Sequence, residues 1–143
     1  MEIKNSTDLS SQVYKDALKI RYTVFVEEQA VPEDMEIDEF ESISTYFVGY
    51  INDLPVVTAR CYETDDNGWH VQRVATTKEY RQQGLAKELL IHIENVAQQH
   101  GYDYLILGAQ DQAQGFYLKL GYQVIGDQYL DAGIEHHDMK KTL

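Results

Sequence analysis

Arg81-Gln82-Gln83-Gly84-Leu85-Ala86 follows the β-rich run Trp69-His70-Val71-Gln72-Arg73-Val74-Ala75 and opens a regularly patterned helix. The order is strand, polar turn with glycine, helix start. The first backbone N–H groups of a helix lack intrahelical acceptors, and the helix dipole adds positive potential at that end. Gly84 has no Cβ, so an anion can approach its backbone closely. Arg81, at the mouth of the turn, can add charge-assisted bonds to the same anion. The turn therefore suits a phosphate-bearing ligand. The competing reading is an ordinary turn glycine. A P-loop would need Gly-x-x-x-x-Gly-Lys-Ser/Thr and a dinucleotide fingerprint Gly-x-Gly-x-x-Gly, and the chain has neither.

Downstream of the turn, Leu85, Leu89, Ile93, Val96 and Ala97 form the apolar stripe of a helix that Gly101 stops near His100. Tyr104–Ala109 reads as a buried central strand. A shorter helix spans about Gln112 to Leu120 and ends at Gly121, and β segments at Tyr122–Ile125 and about His136–Lys140 close the chain. Upstream, Thr45–Ile51, Val56–Tyr62 and Trp69–Thr76 read as strands. Asn52-Asp53-Leu54-Pro55 and Asp65-Asp66-Asn67-Gly68 supply hairpin chemistry between them. Before them, Val13, Ala17, Ile20 and Val24 mark a helix over about Ser11–Val26, capped by Ser10 or Ser11 and followed by an acidic loop around Pro32. The order α, βββ, α, β, α, ββ predicts a single α/β domain on a mixed, mostly antiparallel sheet flanked by helices.

A chain of 143 residues with 43% apolar and 25% charged side chains is long enough to bury one core and has a soluble globular composition. No apolar run approaches membrane-span length, and the polar start Met1-Glu2-Ile3-Lys4-Asn5 has no signal-peptide core. The single cysteine, Cys61, excludes an intramolecular disulfide and fits a reducing cytoplasm. Net charge is −12, with acid concentrated in Glu27-Glu28 and Glu33 to Glu41. That surface disfavours nucleic acid and anionic membrane, whose phosphates it cannot neutralise. It would attract a cationic substrate such as an amine, although acid runs also serve simply as solvated surface. Against this background the basic cluster Lys78, Arg81 and Lys87 stands out, because it sits on the proposed cradle.

Arg81-Gln82-Gln83-Gly84-Leu85-Ala86 resembles the Arg/Gln-x-x-Gly-x-Gly/Ala signature of the GNAT N-acetyltransferases. Leu107-Gly108-Ala109-Gln110, Ala113 and Phe116-Tyr117-Leu118-Lys119-Leu120-Gly121-Tyr122 resemble the later strand–helix block of the same superfamily. Arg21-Tyr22-Thr23-Val24-Phe25-Val26-Glu27-Glu28-Gln29 and Tyr129-Leu130-Asp131-Ala132-Gly133-Ile134-Glu135-His136 resemble its ElaA/YjcF-like branch. These blocks cover nearly the whole chain in order.

The resemblance implies that the backbone of Gln82, Gln83, Gly84, Leu85 and Ala86 cradles the pyrophosphate of acetyl-CoA, helped by Arg81 and Lys87. It implies that the strand at Arg73 and Val74 pairs with the pantetheine arm, whose two amides suit a free strand edge. An N–H near Val74 would polarise the thioester carbonyl. Tyr117 is implied to protonate the departing thiolate; without the motif it would read as one of eleven tyrosines, packed in the core. Gln110 stands where many relatives carry a cofactor-bonding asparagine, one methylene shorter. Glu28 and His136 are implied to serve as general base or to line the acceptor pocket. Their bland readings are a solvated acid and a surface histidine. Relatives in this branch often read Gly-Ile-Pro-His where this chain has Gly133-Ile134-Glu135-His136.

Cys61 reads as a small apolar strand residue rather than an acyl carrier. No metal is expected, because His136 and His137 would face opposite sides of a strand. The implied activity is acetyl transfer from acetyl-CoA to a primary amine of a small acceptor, by direct attack in a ternary complex. A non-catalytic acyl-CoA-binding or regulatory module and an acyl-homoserine-lactone synthase are the alternatives. Homodimers are common in the superfamily, and the C-terminal strands offer an edge for one.

Overall fold

The computed structural model describes the backbone of residues 1–143 and all side chains except those of Met35 and of Asp34, which belongs to the acidic run. The elements are β1 (Glu2–Ser6), α1 (Gln12–Arg21), α2 (Glu33–Glu36), β2 (Thr45–Ile51), β3 (Leu54–Glu63), β4 (Gly68–Thr76), α3 (Leu85–Gln99), β5 (Tyr104–Gln110), α4 (Gln114–Lys119), β6 (Gln123–Asp131) and β7 (Ile134–Thr142). The strands form one mixed sheet of order β1-β2-β3-β4-β5-β7-β6, so the expected mixed α/β class holds. Antiparallel registers join β1 to β2, β2 to β3, β5 to β7 and β6 to β7. β4 and β5 run parallel over Gly68↔Tyr104 to Val71↔Leu107, as a crossover through α3 requires.

The chain divides into two compact units, Met1–Tyr62 with Arg73–His92, and Glu63–Gln72 with Ile93–Leu143. In the first unit the Ser11 hydroxyl accepts the Tyr14 N–H and caps α1. Ala17, Ile20 and Val24 on the helical stripe and Tyr46, Val48 and Tyr50 on alternate positions of β2 form a buried cluster with Tyr14 and Ala75. Phe47, on the other face of β2, meets His92 of α3 edge-on, with ring centroids 6.0 Å apart. In the second unit Leu105, Leu107, Ala109 and Met139 are buried, and Trp69 stacks on Tyr102 at 5.1 Å. Cys61 is fully buried in β3, and burial pushes its thiol pKa well up.

Four parts of the sequence reading need correction. β1 was not expected, because its polar run Glu2-Ile3-Lys4-Asn5-Ser6 buries no residue fully and carries little apolar signal. The N-terminal helix changes geometry after Arg21: Tyr22–Glu28 is π-helical, with Gln29 N–H bonded to the Val24 carbonyl. The acidic loop contains α2 and a 3₁₀ turn at Glu41–Ile43, and Glu36 and Glu41 are buried rather than solvated. The C-terminal hairpin is longer than expected, and it turns at Ala132 (φ +51°) and Gly133 (φ +77°). Every residue of β6 is exposed, so no core face imposed a readable alternation there.

Candidate functional site

Each unit carries part of the constellation expected from the sequence. In the first, β4 runs into a 3₁₀ turn at Lys78–Tyr80 and then into the Arg81–Ala86 loop. Gln82 has φ +63° and Gly84 φ +77°, and the Gly84 carbonyl accepts the Glu88 N–H at 3.0 Å. Gly84 is therefore the cap residue of α3, and the N–H groups that follow it open the helix. A Cβ at Gly84 would meet no heavy atom within 4 Å, so the left-handed φ, not crowding, demands glycine. Lys87 is exposed on the first turn of α3.

Arg81 is fastened to protein. Its Nε donates to the Thr76 carbonyl at 2.9 Å and its Nη2 to Glu28 Oε1 at 2.7 Å. Glu28, the last residue of the π-helical segment, is thus an ion-pair partner rather than a free solvated acid. Both side chains are about a third exposed, so the pair contributes little stability and acts mainly as a tether.

Arg73 has φ +54° in the middle of β4, a conformation rare for a non-glycine residue. Its Nη2 donates to Asp38 Oδ2 at 3.2 Å and to the Glu36 carbonyl at 3.3 Å, and its Nε lies 3.4 Å from Glu36 Oε1. Burial and the nearby Arg60 and Arg21 charges push the Arg73 pKa down. Val74 follows it, half-buried. The acids that hold Arg73 also pair with Arg21 and Arg60, a cluster that sequence reasoning missed. A cavity of about 410 Å³ in this unit is lined by Lys19, Ile20, Thr23, Leu54, Pro55, Thr77, Glu79 and Tyr80, and by none of the expected site residues.

In the second unit, Tyr117 on α4 is 9% exposed. It meets Phe116 and Tyr122 edge-on at 5.0 and 5.8 Å. Burial pushes its phenol up to about 12, so the group stays protonated at neutral pH. Gln110 ends β5, and its Oε1 accepts a hydrogen bond from Gln112. The β5–β7 register brings Gln110 opposite His136.

His136 is 8% exposed, which overturns the surface-histidine reading. It stacks on Tyr129 at 5.8 Å, and its Nδ1 lies 2.7 Å from the Ile134 carbonyl. A carbonyl can only accept, so Nδ1 carries the hydrogen and Nε2 of the neutral ring keeps a free lone pair. His137 Nδ1 bonds Asp111 Oδ1 at 2.7 Å, a pairing the sequence reading did not include. Among the described residues, no group of three or more His, Cys, Asp or Glu is placed to hold a metal ion.

The family model described as "Acetyltransferase (GNAT) domain" matches residues 8–143. The chain belongs to the GNAT family. The uncharacterized N-acetyltransferase YjcF of Bacillus subtilis is 40% identical over 89% of this chain and 91% of its own length. Protein ElaA of Escherichia coli is 30% identical over 93% of this chain and 89% of its own. The crystal structure of ElaA superposes with a TM-score of 0.87, covering 98% of each chain at 26% identity. This GNAT chain therefore sits in the ElaA/YjcF-like branch, and it is an acyltransferase. A GNAT acetyltransferase of Elizabethkingia anophelis with acetyl-CoA bound shares the fold at 16% identity, with a TM-score of 0.75 over 99% of this chain and 97% of that one.

Proposed function

We propose that the chain works as one domain that transfers acetyl from acetyl-CoA to a primary amine of a small acceptor, by direct attack in a ternary complex. The observation that carries this reading is Gly84. At φ +77° it caps α3 in the loop that follows β4 and the 3₁₀ turn, at the place of the GNAT signature, and so presents a helix N-terminus to an anion. The backbone from Gln82 to Ala86 holds the pyrophosphate of acetyl-CoA, with Arg81 and Lys87 adding positive charge beside it. β4 at Arg73 and Val74 takes the pantetheine arm as an added strand, and Gln110 bonds the same arm from β5.

The amine nitrogen attacks the thioester carbonyl, whose oxygen gains charge and is met by the Val74 N–H. Collapse of the tetrahedral intermediate breaks the C–S bond, and the Tyr117 phenol gives its proton to the leaving thiolate. The attacking nitrogen loses a proton to His136 Nε2, directly or through water. The Ile134 contact of His136 favours this assignment, since it puts the hydrogen of the neutral ring on Nδ1 and makes Nε2 its acceptor. Glu28 holds Arg81 beside the loop through their 2.7 Å ion pair. The working compartment is the cytoplasm, neither nucleic acid nor membrane is a partner, and a homodimer forms through the exposed β6 edge.

Release of free coenzyme A thiol across a panel of amines tests the reading. Wild type turns over; Tyr117→Phe loses roughly 100-fold or more in kcat while still binding acetyl-CoA. Binding without turnover on a broad amine panel would favour the regulatory module. Lactone formation from S-adenosylmethionine and an acyl donor would favour the synthase. Loss of binding in Tyr117→Phe would make that tyrosine structural.

A further inference from the structure

Three arginines from α1, β3 and β4 (Arg21, Arg60 and Arg73) converge on three carboxylates from a single short stretch (Glu36, Asp38 and Glu41). Arg21 and Arg60 are each 1% exposed, Glu36 4% and Glu41 7%. Arg21 Nε lies 2.6 Å from Glu36 Oε1, and Arg60 Nη1 lies 2.6 Å from Glu41 Oε2. Asp38 joins Arg60 to Arg73 through one oxygen: its Oδ2 accepts from Arg60 Nη2 at 2.8 Å and from Arg73 Nη2 at 3.2 Å. Two guanidinium groups held this close repel each other unless an anion lies between them. Buried ion networks add little stability over apolar packing, so geometry is the better account of why one is built here.

That geometry centres on Arg73. A left-handed residue inside a strand persists only where its surroundings over-determine it. Here the Arg73 side chain is held by Asp38 and by both the carboxylate and the carbonyl of Glu36. We propose that Asp38 is a positioning residue: by fixing the Arg73 guanidinium it holds the left-handed backbone of β4 and so aims the Val74 N–H at the thioester oxygen. The inference rests on the reading of β4 as the thioester-binding strand. The cradle at Gly84 does not depend on Asp38, so donor affinity and carbonyl polarisation separate in the variant.

The test is Asp38→Asn, followed by the amide resonances of Val74 and Gly84 during acetyl-CoA titration and by thiol-release kinetics. The Gly84 response should persist, with Kd changed by less than about threefold, while the Val74 response at saturation is lost. The kcat should fall by about tenfold or more, and Asp38→Glu should recover part of it. If melting shows that Asp38→Asn is unfolded, Arg73→Lys, which keeps the charge but loses the fork, replaces it and should give the same split. A variant with wild-type Val74 shifts and kcat overturns the proposal alone. Absence of both shifts in the wild-type protein overturns the acetyl-CoA reading and the proposal together.

Discussion

Glu41 shows what one buried carboxylate does in this fold. Burial alone would raise its pKa, but hydrogen bonds from Arg21 and the charges of Arg21 and Arg60 hold it at about 2, below its ordinary 4.5. A depressed folded-state value means that the associated stability is complete above pH 4.5 and is lost as pH falls towards about 2. The melting temperature should therefore drop across that window. Glu41→Gln should flatten the dependence while costing about 3–5 kcal/mol at neutral pH, because it strands buried arginines. Gly84 was legible in the sequence because its requirement is local, a glycine between a strand and a helix. Glu36, Asp38 and Glu41 were not, because their arginine partners lie 15 to 37 residues away and no spacing rule marks them. They had the appearance of solvated acid.

At the scale of elements, Gly68 ties the start of β4 to β5. A Cβ there would run into the ring of Tyr104, whose hydroxyl bonds Thr64 and Asp66. Gly68→Ala should cost about 1–3 kcal/mol in urea unfolding, and Gly68→Ala/Tyr104→Leu should be less destabilised than the sum of the single changes. Elements with a buried face were readable: β2, β3, β4, α3 and β5 appear within two residues of the expected bounds. Elements without one were not. β6 is exposed throughout, and β1 has only half-buried and exposed positions. The π-helical turns from Tyr22 to Glu28 keep Val24 buried, so the stripe that predicts an α-helix survives the change of geometry unaltered.

For the molecule as a whole, the arginine–carboxylate cluster consumes equal numbers of either sign, so the net charge of −12 is carried by the rest of the chain. A cationic acceptor should be steered by that field. Its kcat/KM should fall as ionic strength rises from about 0.01 to 0.15 M, while that of a neutral-bodied amine changes less. The left-handed glycine at the start of α3 was legible from the sequence because a short local motif carries it. The burial of His136 was not, since it depends on long-range strand pairing. Cys61 is the chain's only sulfhydryl, and it is sealed at 0% exposure with its thiol held protonated. A disulfide dye should find no background in the native protein and one equivalent per chain after denaturation. Every turnover of coenzyme A can then be counted against a blank baseline, with no cysteine mutated.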